Sequence, residues 1–241
     1  MAALLEVEGL SKSFAGLRAA HGLTFAVGEG EIVALIGPNG AGKTTCFNIV
    51  AGVYRPDSGT VRLGGERIDG RHPDQICRAG VGRTFQLVKP FAGLTVLDNV
   101  VVGALNARRS VAEARRLAEE VLDLLGLAAK RRHPAASLTL PERKRLEVAR
   151  ALATGPRILL LDEVMAGLRP TEVDRMVQVL RDLNAQRGVT LLVIEHVMRA
   201  VMALSLRVIV MHHGEIIAEG TPDEVTRNPA VIECYLGEEA P

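Results

Sequence analysis

The stretch "EIVALIGPNGAGKTT" (residues 31–45) runs an apolar segment straight into a glycine-rich turn. Residues 32–36 are apolar on both faces, as expected of a strand buried inside a sheet. Residues 37–44 fit G-x-x-x-x-G-K-[ST], and "CFNIVAG" continues as a helix, which is the strand–turn–helix context the motif requires. Glycines are needed there because backbone N–H groups must converge on phosphate oxygens, and the helix adds its positive N-terminal end. The candidate phosphate-binding residues are Gly37, Pro38, Asn39, Gly40, Ala41, Gly42, Lys43, Thr44 and Thr45. Lys43 is expected to reach the β- and γ-phosphates, and the Thr44 hydroxyl to bind Mg²⁺.

The complement to this turn is "ILLLDE" (residues 158–163), an apolar strand ending in two carboxylates. Open α/β sheets bind ligands at that carboxyl edge. Asp162 is the candidate metal ligand, and Glu163, pointing elsewhere, the candidate base for an attacking water. "TLLVIEH" repeats the geometry and leaves His196 just past a strand end, where a neutral imidazole could bond a γ-phosphate or the water.

Around these motifs, "LLEVEGL", "LTFAV" and "TVRLGG" read as strands punctuated by glycine. Residues 96–127 change to helical periodicity, with Val111, Ala114, Leu117, Ala118, Val121, Leu122 and Leu125 on one stripe and Gly126 as a stop. "KRRHP" (residues 130–134) reads as a loop. Beyond Pro141 helices and strands alternate, with a helix over 171–187 and a closing hairpin turning at His213 and Gly214. Such alternation predicts a parallel sheet with helices on its faces.

Composition narrows the function class. At 241 residues and 48% hydrophobic, the chain supports one large domain with a lobe attached. A net charge of +1, 3% aromatic residues and no Trp disfavour nucleic acid as a partner. Cys46, Cys77 and Cys234 are far apart and suggest neither disulfides nor zinc. No apolar run reaches the roughly 18–20 residues of a membrane-spanning helix, so any role at a membrane must pass through a partner.

The phosphate loop, "ILLLDE" and "VIEH", in this order and at these separations, resemble the ATP-binding subunits of ABC transporters over essentially the whole chain. The resemblance implies an α/β fold of P-loop NTPase type. A mostly parallel core sheet would carry an N-terminal antiparallel β subdomain (residues 1–86 and 156–241 together), and residues 87–155 would form a helical subdomain. It implies ATP and Mg²⁺ as ligands, a homodimer or a heterodimer with a related ATPase subunit, integral-membrane permease subunits, and indirectly a substrate-binding protein. The location implied is cytoplasmic, peripheral on the inner face of the membrane. Gln86, in "VGRTFQ", would sense Mg²⁺ and touch the permease, and Phe14, in "LSKSFAG", would stack on adenine. "VGRTFQLVKPFAGLTVLDNV", "LDEVMAGLRPTEV", "IEHVMRAVM" and "VIECYLGEE" look like the ATPases of branched-chain or hydrophobic amino acid importers. Urea and aromatic-acid importers share this type, and the lipopolysaccharide-export ATPase is similar in its tail.

Three places in the chain depart from the family pattern. Where the family has LSGGQ at a helix start facing ATP on the other subunit, this chain has Leu138, Thr139, Leu140, Pro141 and Glu142. Thr139 keeps a hydroxyl and forms a T-x-x-E capping box with Glu142, and Pro141 suits a first turn. What is lost is a backbone donor at Pro141 and open access at Leu140. The loss is worth about 1.5–3 kcal/mol, or roughly ten- to a hundredfold in closed-state affinity. In "ERKRLEVAR", Arg143 with Glu147 and Glu147 with Arg150 read as surface pairs. Val164 replaces a Pro common after the Glu, and Arg169 stands where the family often has an Asp.

Overall fold

The computed structural model describes residues 3–85 and 90–236. β1 (Ala3–Phe14), β2 (Leu17–Gly28), β4 (Ser58–Leu63) and β5 (Glu66–Arg67) form an antiparallel sheet in the order β2-β1-β4-β5. The second sheet joins β3 (Ile32–Ile36), β6 (Val81–Arg83), β7 (Ile158–Asp162), β8 (Thr190–Ile194), β9 (Arg207–His212) and β10 (Glu215–Gly220). Its order is β10-β9-β3-β8-β7-β6, parallel except at the β9–β10 hairpin on its edge.

The apolar runs of the central strands are needed because both faces of the second sheet are covered. On β7, Leu159 and Leu161 join a core with the helices, whereas Ile158 and Leu160 join the core shared with β1 and β2. β8 divides in the same way, with Leu191 and Val193 on one side and Leu192 and Ile194 on the other. With both faces buried, the acidic residues stand at or just past the carboxyl ends, Asp162 on β7 and Glu195 after β8.

Helix α1 (Lys43–Val50) follows the glycine-rich turn, α2 (Pro73–Ala79) precedes β6, and α6 (Pro170–Arg187) separates β7 from β8. α7 (Met198–Leu204), α8 (Pro222–Thr226) and α9 (Pro229–Leu236) complete the second half. Between β6 and β7 lie α3 (Val96–Ala104), α4 (Val111–Leu124) and α5 (Leu140–Ala153).

Two sequence expectations need correction here. The helical periodicity over 96–127 divides between α3 and α4, the second restarting where the Ser110 hydroxyl accepts the Glu113 N–H at 3.2 Å, and the correction falls on one residue of its stripe. Ala114, Ala118, Val121, Leu122 and Leu125 are buried as the stripe predicts, but Val111, in the first turn, is 62% exposed where no neighbouring element covers it. The second correction concerns Glu147, which is no surface partner. It is buried, and its carboxylate accepts the Phe85 N–H at the end of β6. Arg143 turns instead to the Leu138 carbonyl, 2.8 Å away.

Candidate functional site

The turn between β3 and α1 needs glycine for space as well as for conformation. Gly42 has φ 99°, and a Cβ there would lie 2.0 Å from the Ala19 carbonyl oxygen; Gly37 has φ 147°, and its Cβ would lie 2.0 Å from that of Met211. Neighbouring strands thus press the loop from behind and turn its other side outward. Lys43 is 6% exposed, and its ammonium donates to the carbonyls of Gly37 and Pro38 at 2.6 and 2.7 Å.

A cavity of about 570 Å³ opens over this turn, lined by Asn39 to Thr45, by Phe14, Leu17 and Arg18 from the antiparallel sheet, and by Glu163, His196 and His213. The structure therefore brings together Phe14, most of the phosphate loop, Glu163 and His196. Gly37 and Pro38 sit behind the lining and serve Lys43. Phe14 is 38% exposed, packs edge-on to Tyr54 at 5.1 Å between centroids, and keeps the rest of its ring toward the cavity. Thr139 is not brought to this cavity. It starts α5 elsewhere, with its N–H and hydroxyl both donating to Glu142 Oε2 at 2.9 Å. Gln86 lies outside the described residues.

Glu163 and His196 meet directly, with Nε2 to Oε1 at 2.7 Å. A carboxylate only accepts, so His196 carries its proton on Nε2 in the neutral state. Glu163 sits at φ 51°, a left-handed conformation that costs a non-glycine residue roughly 1–2 kcal/mol. Its N–H still reaches the Ile194 carbonyl at 2.9 Å, but its own carbonyl swings away and accepts from Lys144 Nζ at 2.8 Å. A charge-assisted bond of this kind is worth about 1.5–3 kcal/mol, enough to offset the strained backbone.

Asp162 is 2% exposed; its N–H donates to the Thr84 hydroxyl and its Oδ2 lies 3.4 Å from the Arg83 guanidinium. Burial pushes the carboxyl above its usual range and Arg83 opposes the shift. Its Oδ1 is buried with no hydrogen-bond partner among the described residues, and a divalent cation would fit such an oxygen. Arg83 also donates to Asn48 Oδ1 on α1 at 2.7 Å.

The sequence reading passed over four groups at this site. Arg83, Lys144, Glu195 and His213 all touch it or its support. Glu195 is 2% exposed and accepts the Met165 N–H at 2.8 Å; burial pushes its carboxyl up to about 7. A lone charge in an apolar run, as in "VGRTF" and "LLVIEH", was the available signal. Nothing comparable marked Lys144 among its basic neighbours.

A second depression, an apolar groove of about 260 Å³, lies between α2, β6, α3 and α5 and is lined by Val53, Phe85, Val102, Arg83, Glu147 and Arg150 among others. Phe85 is 59% exposed at its edge.

Comparison with known proteins places this geometry. The model of the family described as ABC transporter matches residues 20–166, and that described as branched-chain amino acid ATP-binding cassette transporter matches residues 215–241. The high-affinity branched-chain amino acid transport ATP-binding protein BraF of Pseudomonas aeruginosa is 42% identical over 98% of both chains. Among solved structures, the cassette MJ1267 in its ADP conformation superposes with a TM-score of 0.89 at 30% identity, covering 98% of this chain and 100% of that one. The dimeric cassette MJ0796, bound to ADP and Pi after hydrolysis, does so at 0.82 and 26% identity over 90% of this chain and 98% of its own.

Proposed function

The chain belongs to the ABC transporter family and is an ATP-hydrolysing cassette, and from that premise we propose that it energises uptake of branched-chain amino acids through a membrane permease. The observation that carries the hydrolytic reading is the Glu163–His196 contact of 2.7 Å within a cavity floored by the phosphate loop. In this reading Lys43 exchanges the carbonyls of Gly37 and Pro38 for the β- and γ-phosphates of ATP, and Phe14 stacks on the base. Glu163 orients and deprotonates the water that attacks the γ-phosphorus, the bond to the β-phosphate oxygen breaks, and ADP leaves with phosphate. The Nε2–H of His196 turns from Glu163 to a γ-phosphate oxygen, releasing the carboxylate for the water.

Asp162 and the Thr44 hydroxyl, with Gln86, would hold Mg²⁺, and the unpartnered Asp162 Oδ1 fits that task. The ion supplies charge neutralisation at the phosphate oxygens. Two cassettes pair so that the α5 start of one, with Thr139, faces the phosphate loop of the other; the pair is two copies of this chain or this chain with a relative. Residues 87–155 act as a helical subdomain, and the apolar groove beside Phe85 receives the permease. Among the described residues no helix is long and apolar enough to cross a membrane, which suits a subunit held on the cytoplasmic face by that permease. A substrate-binding protein delivers the amino acid from the far side, and nucleic acid has no part.

The C-terminal match and the likeness to BraF support the branched-chain substrate. The test is uptake of labelled leucine, isoleucine and valine by vesicles holding this chain with its co-purifying permease. Uptake is expected to need ATP and to vanish in Glu163→Gln. Phosphate release that is equally absent from wild type and Glu163→Gln would overturn the hydrolytic reading, and ATP-driven uptake of other solutes alone would overturn the substrate.

A further inference from the structure

Behind the reactive pair lie two buried groups to which hydrolysis itself gives no task. Glu195 lies just past the end of β8, immediately before His196 in the chain, and its Oε1 accepts the Met165 N–H at 2.8 Å, while its Oε2 is buried with no hydrogen-bond partner among the described residues. Met165 belongs to the turn that follows Glu163. One carboxylate thus bridges the segment carrying Glu163 to the segment carrying His196. Lys144, 5% exposed on α5, reaches across to the Glu163 carbonyl at 2.8 Å.

The need for such groups follows from the backbone. Glu163 leaves the ladder of β7 at φ 51°, so its carbonyl turns to Lys144 and to the Ala166 N–H, 3.2 Å away, and its side chain is aimed by a conformation that an L residue rarely adopts. His196 lies beyond the last ladder residue of β8, Ile194. Both side chains therefore hang on irregular backbone, yet their 2.7 Å contact and their common cavity require both to be fixed. Burying a carboxylate and an ammonium is costly unless each is hydrogen-bonded, and here the bonds of both go to the turn that follows β7.

We propose that Glu195 and Lys144 are positioning residues for hydrolysis: Glu195, through its bond from Met165, ties the turn after Glu163 to the chain segment that carries His196, and Lys144 holds the Glu163 carbonyl so that the carboxylate faces the phosphate cavity. Neither touches ATP or water. The inference rests on the hydrolytic reading above, and it assigns α5 a contact with the catalytic turn of its own chain.

The test uses the assembled transporter with Glu195→Gln, Lys144→Met and Lys144→Arg. Steady-state hydrolysis, calorimetric affinity for Mg·ATP, thermal midpoints and the ¹⁵N resonance of His196 Nε2 are read on each; Lys144→Gln substitutes for Lys144→Met should the latter not fold. Glu195→Gln and Lys144→Met are expected to lower kcat by about tenfold or more, with KM and ATP affinity within about threefold of wild type. The His196 resonance should move in both, and Lys144→Arg should restore kcat to within about threefold. The proposal is overturned if kcat per folded molecule stays within about twofold, if kcat and ATP affinity fall together, or if the rate drops while the resonance stays in place. An inactive wild type would instead condemn the hydrolytic reading, so the two failures are distinguishable.

Discussion

Replacing Glu195 by Gln should change the pH dependence of folding stability in a direction and by an amount that the structure sets. The wild-type carboxyl has an ordinary pKa of 4.5 and is pushed up to about 7 in the fold, first by burial, with Glu163 adding repulsion against the opposing amides of Met165 and His196. Between those two values the native state binds more protons than the unfolded state, so stability falls as pH rises through the window and levels off above about 7. At 1.36 kcal/mol per tenfold, the interval amounts to about 3 kcal/mol. Gln keeps an acceptor oxygen but has no proton to lose, so the variant carries none of this term. Urea unfolding of both proteins at a series of pH values from 5 to 8, without nucleotide, isolates it by difference, because every other titrating group is shared. The stability of Glu195→Gln relative to wild type should rise by about 2.5 kcal/mol across that range, the rest of the change falling below pH 5. A difference that stays flat within about 0.5 kcal/mol would show that the carboxylate is not desolvated as its 2% exposure implies, and would refute the reasoning.

Other outcomes follow from the same geometry. Glu163→Gln should lower hydrolysis by about 10²–10⁴ while calorimetric Mg·ATP affinity is retained; unchanged turnover would remove Glu163 from the chemistry. Gly42→Ala places a methyl 2.0 Å from the Ala19 carbonyl at φ 99°, so ATP affinity should drop by more than about tenfold and the thermal midpoint should fall. Restoring Gly at both Leu140 and Pro141 should raise ATP-dependent dimerisation in a Glu163→Gln background by roughly ten- to a hundredfold, as read by analytical ultracentrifugation.

The fold was legible because its signals are redundant. The strand–turn–helix around Gly37 and Lys43 combines an apolar run, obligatory glycines and a cation, and each is demanded by a different physical constraint. The doubly buried β7 and β8 announced themselves by continuous apolar runs ending in polar residues, which led to Asp162, Glu163 and His196. What stayed illegible depends on direction more than on residue type. Lys144 and Glu147 belong to a run of alternating charges that reads as a solvated face at helical spacing, but α5 packs that face toward β6 and the turn after β7. Periodicity reports which residues share a face, and it does not report whether another element covers it. Val111 failed in the opposite sense, fitting the stripe while nothing packs over its end of α4.

The start of α5 unites the sequence departure with the buried cluster. Thr139 gives both its N–H and its hydroxyl to Glu142 Oε2, and Lys130 lies 3.8 Å from the other oxygen of the same carboxylate. Burial alone would raise the Glu142 carboxyl, but the two bonds from Thr139 hold it below its usual value, so it remains ionised at neutral pH. The helix start is therefore closed on itself: the hydroxyl that a γ-phosphate would use is already donated, and a negative charge stands beside it. Pairing with a second cassette must then open the capping box or proceed without that hydroxyl, and either path weakens closure relative to a glycine-rich start. One and a half turns further along the same helix, Lys144 holds the carbonyl of Glu163. A shift of α5 when its outer end meets the opposite nucleotide would thus be felt at the carbonyl of Glu163, the proposed base. Changes at Leu140 and Pro141 should accordingly act on assembly and those at Lys144 on turnover, and the two should fail to add if α5 moves as a rigid body.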